Sequence, residues 1–196
     1  MTQPRSRSRA QRGFTLIETM IAIVILMIGV LTLVAAFGTA VASTQNAQEN
    51  LIARQKALEA VESIFTARNT QQITFARIGN TPNGGIFTSG PTPLWSAGND
   101  GLVNTADDVP FPVNGVCPSG PECIALPGPD GILGTGDDVP MSLTNFTREI
   151  QINPVLQPDG STNPNLKQVT VIVSYTAGGS SVPRSYTVNV LLSAFR

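Results

Sequence analysis

Six aspartates on two near-identical loops are the residues of this chain best placed to do chemistry. Residues 100–110 read DGLVNTADDVP and residues 130–140 read DGILGTGDDVP, thirty positions apart. Each copy has Asp-Gly, an apolar residue, a threonine five positions after the first aspartate, then Asp-Asp-Val-Pro. Hard carboxylate oxygens clustered on glycine-bearing loops suit calcium. Asp100, Asp107 and Asp108 would form one site, and Asp130, Asp137 and Asp138 a second. The spacing is not that of an EF-hand loop, and no glutamate closes either copy. The competing reading is a duplicated solvent-facing turn in which Asp-Gly makes the bend. The repeat is too short to build a solenoid.

Other reactive groups are few. The chain has no histidine, which removes Ser-His-Asp and Cys-His catalysis and the commonest zinc ligand. Serine, aspartate and lysine occur, but no motif sets a nucleophile beside a base, so no enzyme is expected. Cys117 and Cys123 enclose Pro-Ser-Gly-Pro-Glu. That spacing excludes a redox Cys-x-x-Cys pair, and in an oxidising compartment it predicts a local disulfide. The small ring would pin the loop between the two repeats as an exposed excursion. A net charge of −1 supplies no global basic field, so nucleic acid is not an expected partner.

Glu18 is the remaining odd residue. It lies just inside an apolar run in which Met20 to Phe37 read MIAIVILMIGVLTLVAAF. With Phe14 to Thr19 added, the run makes a helix of roughly 36 Å, longer than the roughly 30 Å hydrocarbon core of a bilayer. A buried core helix would carry a polar stripe, and none occurs before residue 43. Arg5, Arg7, Arg9 and Arg12 precede it with no acid among residues 1–12, which places the N-terminus in the cytoplasm and residues from about 44 across the membrane. Ala40-Val41-Ala42 resembles a secretory cleavage site. The run is nevertheless too long for an ordinary signal, and a signal has no use for an internal acid. A plain anchor has none either, because a central acid costs about 2.5–3.5 kcal/mol on insertion scales.

Beyond the run the helical pattern continues. Ala47, Leu51, Leu58, Val61 and Phe65 recur at spacings of four, seven, three and four, and predict an apolar face opposite Arg54, Gln55, Glu59 and Glu62. A helix from Phe14 to about Arg68 would extend roughly 80 Å. Glycine and proline concentrate between residues 79 and 140, which reads as loop. Three strands are expected at 147–153, 168–175 and 185–192. Val169, Val171, Val173 and Tyr175 share one face of the second, and Tyr186, Val188, Val190 and Leu192 one face of the third. The connector from Ala177 to Pro183 suits an antiparallel pair. The fold class is therefore α+β, a long N-terminal helix on a small antiparallel sheet with a loop-rich insertion. The expected divisions are 1–13, 14–42 in the membrane, 43–68 as the amphipathic half of the helix, 69–145 loop-rich, and 146–196 as the sheet.

Gly13-Phe14-Thr15-Leu16-Ile17-Glu18, behind a basic leader and ahead of the apolar run, resembles the N-terminus of type IV pilins and type II secretion pseudopilins. The resemblance covers about residues 1–37. It implies that a prepilin peptidase cuts between Gly13 and Phe14 and methylates the new Phe14 amine. It also implies that the subunit stacks with other pilins through its helix, aided by inner-membrane assembly machinery. A physical argument accompanies it. Gly13 lets a peptidase approach the backbone closely. The freed Phe14 amine would sit one turn from Glu18, at i,i+4 spacing, or meet Glu18 of a neighbour. Such a pair in apolar surroundings fixes register more than it adds stability. Gly29-Val30-Leu31-Thr32-Leu33 is similar to the pilus-modification type of minor pilin. Major pilins often carry a proline about twenty residues into the mature chain, whereas here none occurs between Pro4 and Pro82. The expected function is thus a minor pilin, anchored in the inner membrane with its head in the periplasm and later displayed on a pilus. The alternatives are a type II secretion pseudopilin and a membrane-anchored calcium-binding or adhesive module.

Overall fold

The computed structural model describes residues 15–111, 117–176 and 182–195. An unbroken α-helix, α1 (Leu16–Asn69, 54 residues), forms because no proline interrupts it and a helix satisfies the backbone of the apolar run internally, despite its many β-branched isoleucines and valines. Thr15 begins it, its Oγ1 accepting the Glu18 N–H at 3.3 Å. The helix ends where Gln71 turns into the left-handed region at φ 62°.

The chain divides into two compact units at Thr44. In the first, every described residue is exposed, including Ile21, Leu26, Leu33 and Phe37. Thr19, Thr32 and Thr39 each donate their hydroxyl at 2.8 Å to the carbonyl three residues back, Leu16, Gly29 and Ala36 respectively. These three hydroxyls are therefore satisfied within the helix, as a lipid environment demands.

The second unit holds the core. Its main sheet runs β1 (Thr92–Pro93), β4 (Phe146–Leu156), β5 (Thr162–Thr176), β6 (Pro183–Ser193), all antiparallel, and the hairpin β2 (Cys123–Leu126)–β3 (Val139–Ser142) stands apart from it. The β5–β6 register pairs Val169 with Val190 and Val171 with Val188, so the alternating residues read from the sequence do share a face. Val169, Val171, Val173, Tyr175 and Leu192 are fully buried, while Tyr186, Val188 and Val190 are half-buried towards the outer edge. Phe146 stacks on Tyr175 at 5.2 Å between ring centroids. Asn80 protects the edge that the two-residue β1 leaves open. Its Nδ2 donates to the Ile150 carbonyl at 2.7 Å and its Oδ1 accepts the Ile152 N–H at 2.8 Å.

The helix does not present the expected face to this core. Its buried residues after Thr44 include Ala53, Lys56, Ala57, Ala60, Ile64 and Ala67. Leu51 and Leu58 are exposed, and Val61 and Phe65 only flank the core. The small side chains Ala53, Ala57, Ala60 and Ala67 pack into the core with Ile52 and Ile64, while the leucines turn outward. The loop-rich region also carries more structure than its composition suggested, for β2 and β3 form a regular ladder from Cys123↔Ser142 to Leu126↔Val139.

Candidate functional site

At the start of the chain, Gly13 and Phe14 lie outside the described residues. Glu18 stands in the first turn of α1, exposed, three residues after the Thr15 hydroxyl that receives its N–H. Thr-x-x-Glu is the pattern of a helix capping box, and a carboxylate in the first turn also complements the helix dipole. Thr15 is readable from that spacing alone.

In the head, the structure folds the two repeats alike. Asp100 and Asp130 each accept an N–H two residues on, from Leu102 and Ile132, at 2.8 Å in both copies. Asp107 accepts the Asp100 N–H and Asp137 the Asp130 N–H, both at 3.2 Å. Asp108 receives the Asn104 N–H at 2.7 Å, and Asp138 that of Gly134 at 2.8 Å. Thr105 donates to Asp107 at 2.7 Å and Thr135 to Asp137 at 2.5 Å. A Cβ at Gly98 would overlap Asp107, and one at Gly128 would overlap Asp137, so glycine two residues before the first aspartate belongs to the module. An antiparallel pair closes each base, Ser96 with Val109 and Leu126 with Val139. The repeated unit is thus a hairpin-tip loop whose carboxylates hold backbone N–H groups.

Its electrostatics follow from those bonds. The Thr105 hydroxyl, then the Asp100 N–H, hold Asp107 below the ordinary carboxylate range, and Thr135 and Asp130 do the same for Asp137. Burial instead pushes Asp108 up, against bonds from Asn104 and Thr105 and the charge of Arg148. Among the described residues, no group of three or more acidic, histidine or cysteine side chains is arranged to hold a metal ion.

The copies differ in their surroundings. In the first, Leu102 and Val103 are 1% and 6% exposed; in the second, Ile132 and Leu133 are 61% exposed each. The first copy docks through Asn104, a left-handed residue at φ 62°. Its Nδ2 donates to Thr92 Oγ1 at 2.7 Å and to the Arg148 carbonyl at 2.9 Å, and its Oδ1 accepts Arg148 Nε at 2.6 Å. Arg148 points into the core from β4, 1% exposed, with Nη1 and Nη2 lacking hydrogen-bond partners among the described residues. Burial lowers its pKa, opposed by Glu59, Glu122 and Asp108. Lys56, also buried, donates to Glu59 at 2.7 Å and to Glu122 at 2.5 Å. Two cations and two glutamates therefore lie between helix, sheet and loop, and their charges balance. No sequence pattern announced this group, because its members lie on separate segments.

Cys117 and Cys123 are joined, their Cα atoms 5.8 Å apart. The ring is less of an excursion than expected. Both cysteines are buried, and Glu122 ties the ring to α1 through Lys56 and to Leu94 through its N–H at 2.7 Å.

A helix long and apolar enough to cross a bilayer, continuous with an α+β head, fits a single-pass, membrane-anchored structural subunit. Residues 8–34 match the family described as the prokaryotic N-terminal methylation motif, so the chain carries the type IV pilin and pseudopilin signature. No curated protein and no solved structure matches the chain.

Proposed function

We propose that this protein is a minor type IV pilin. It is cut between Gly13 and Phe14 by a prepilin peptidase, methylated on the Phe14 amine, and held in the inner membrane by α1 with its head in the periplasm. It then passes into a pilus, where Glu18 pairs with a Phe14 amine and sets the stacking register. The observation that carries the proposal is the match at residues 8–34, placed directly on an exposed apolar helix that leads into a folded head. The proline-free helix favours a minor subunit over a bulk one, because the major pilins that this N-terminus resembles often carry a proline about twenty residues into the mature chain. The partners on this reading are other pilins, the peptidase and the assembly machinery. Two measurements test it. The mature protein should have the mass of residues 14–196 plus one methyl group. Immunogold labelling should find it on sheared pili. A chain that is methylated but absent from pili, and whose loss blocks protein secretion, is a pseudopilin instead.

A further inference from the structure

The first repeat does more than cover its own tip. Docked through Asn104, it walls a cleft of about 270 Å³ whose other sides are β1, Thr88 and Trp95. The Ser96–Val109 pair brings the segments carrying Trp95 and Asp108 side by side, and both side chains line the cleft. Trp95 is the sole tryptophan and is 37% exposed, although its neighbour Leu94 is fully buried. With Pro93 and Ala106 it supplies an apolar surface at the wall of a cleft rather than in the core.

The polar groups of the lining divide into those in use and those left over. Thr92 Oγ1 accepts from Asn104 Nδ2, and the Thr105 hydroxyl donates to Asp107, so both are committed within the wall. The Trp95 indole N–H and the Thr88 hydroxyl have no partner among the described residues. Asp108 accepts the Asn104 N–H at 2.7 Å and the Thr105 hydroxyl at 3.1 Å, and a carboxylate has capacity for a further donor.

Charge narrows what these groups take. Asp108 is the one charged side chain among the described lining residues, so an anion is repelled. A cation gains little, because that carboxylate is already bonded within the loop and already feels the charge of Arg148. A neutral ligand with an apolar face and a rim of hydroxyls meets every remaining group. The cleft lies just under the range of about 300–1,000 Å³ that holds drug-sized molecules, so it encloses a single ring.

We propose that this cleft binds one neutral sugar ring, its CH face on Trp95 and its hydroxyls bonded to Thr88 and Asp108. The site belongs to the head alone and stands whether the subunit enters a pilus or a pseudopilus.

Trp95 emission reads the test directly, since no other tryptophan contributes. The full chain, in a detergent without a sugar headgroup, is titrated with glucose, galactose, mannose and N-acetylglucosamine. At least one should shift the emission saturably, with half-saturation at about millimolar sugar, the strength of about a dozen non-hydrogen atoms at ordinary efficiency. Thr88→Val should weaken that binding about fivefold, the scale of one neutral hydrogen bond, at an unchanged urea midpoint. Trp95→Ala, followed by saturation-transfer NMR, should abolish it. Glucuronate and choline are the anionic and cationic arms and should leave the emission unchanged. No saturable response to any of the four sugars overturns the proposal. A response to glucuronate or choline as strong as that to the sugars does so too, as does sugar binding that Thr88→Val leaves at full strength.

Discussion

Replacing Asn104 with glycine converts the docked loop to the residue found in the free one, and the cost can be worked from the contacts. Glycine tolerates the left-handed backbone, so the change removes side-chain bonds without straining the turn. Three buried hydrogen bonds are lost: to Thr92, to the Arg148 carbonyl and from Arg148 Nε. At about 1 kcal/mol for each neutral bond and 1.5–3 for the charged one, the gross loss is about 3.5–5 kcal/mol. Relief of the left-handed asparagine returns up to about 1 kcal/mol, leaving a net loss of about 3 kcal/mol. For a domain of this size that lowers the melting temperature by roughly 6–12 °C. Much of the cost is a buried guanidinium left without a hydrogen-bond partner among the described side chains. Arg148→Met should therefore rescue Asn104→Gly, because methionine needs none. The cycle Asn104→Gly, Arg148→Met and the double variant is read by urea and thermal unfolding of the full chain in detergent. Trp95, the sole tryptophan, borders the same cleft as Asn104 and reports on it by fluorescence. The double variant should be more stable than the sum of the singles by at least about 1 kcal/mol. A single-variant loss below about 0.5 kcal/mol, or strict additivity, refutes the docking role of this pair.

Further outcomes follow from the same geometry. Glu18→Ala should insert in the membrane as well as the parent, since it removes a costly acid, but enter pili poorly; normal incorporation measured on sheared filaments removes the register role. Asp107 and Asp137 are held below their unfolded values, so their contribution is present above the ordinary carboxylate pKa and disappears as pH falls through the lowered folded values. Thr105→Val with Thr135→Val should accordingly narrow the range of acid resistance, moving the acid-unfolding midpoint upward in a pH titration followed by circular dichroism; an unmoved midpoint contradicts the assignment. Replacing both cysteines with serine should cost about 2 kcal/mol through the lost ring constraint, measured as a lower urea midpoint, and an unchanged midpoint shows that Lys56–Glu122 alone anchors the loop. The calcium expectation has a separate assay: thermal unfolding in millimolar calcium against chelator. A rise that Asp137→Asn abolishes assigns an ion to the second loop, whereas equal melting temperatures leave the carboxylates as backbone acceptors only.

Features coded by adjacent residues were legible in the chain itself. The apolar run, the strand alternation around Val171 and Val188, the six-residue cysteine spacing and the repeated Asp-Gly loop each declare themselves locally, because helix, strand, ring and turn are local geometries. Thr15 belongs to that class too, since it stands three residues before Glu18. The rotation of α1 was not legible in this way. Leucines at helical spacing predict one core face and alanines at the same spacing offer another, and only packing against the rest of the head decides between them. The buried Arg148 was equally silent, since its partners come from a loop, a helix and a strand far apart in sequence.

The two loops separate these levels most clearly. Their common sequence determines a common backbone and the same carboxylate bonds, while tertiary structure alone decides that one tip is core and the other surface. The physical reason is that hydrogen bonds inside a turn are satisfied by residues a few positions apart. Burial depends on what the rest of the chain brings alongside. The N-terminal segment behaves in the opposite way. Its apolarity, its threonine self-bonding and its Thr15–Glu18 cap are complete within the helix, so the sequence by itself states what that segment is, and the folded head contributes only what it carries.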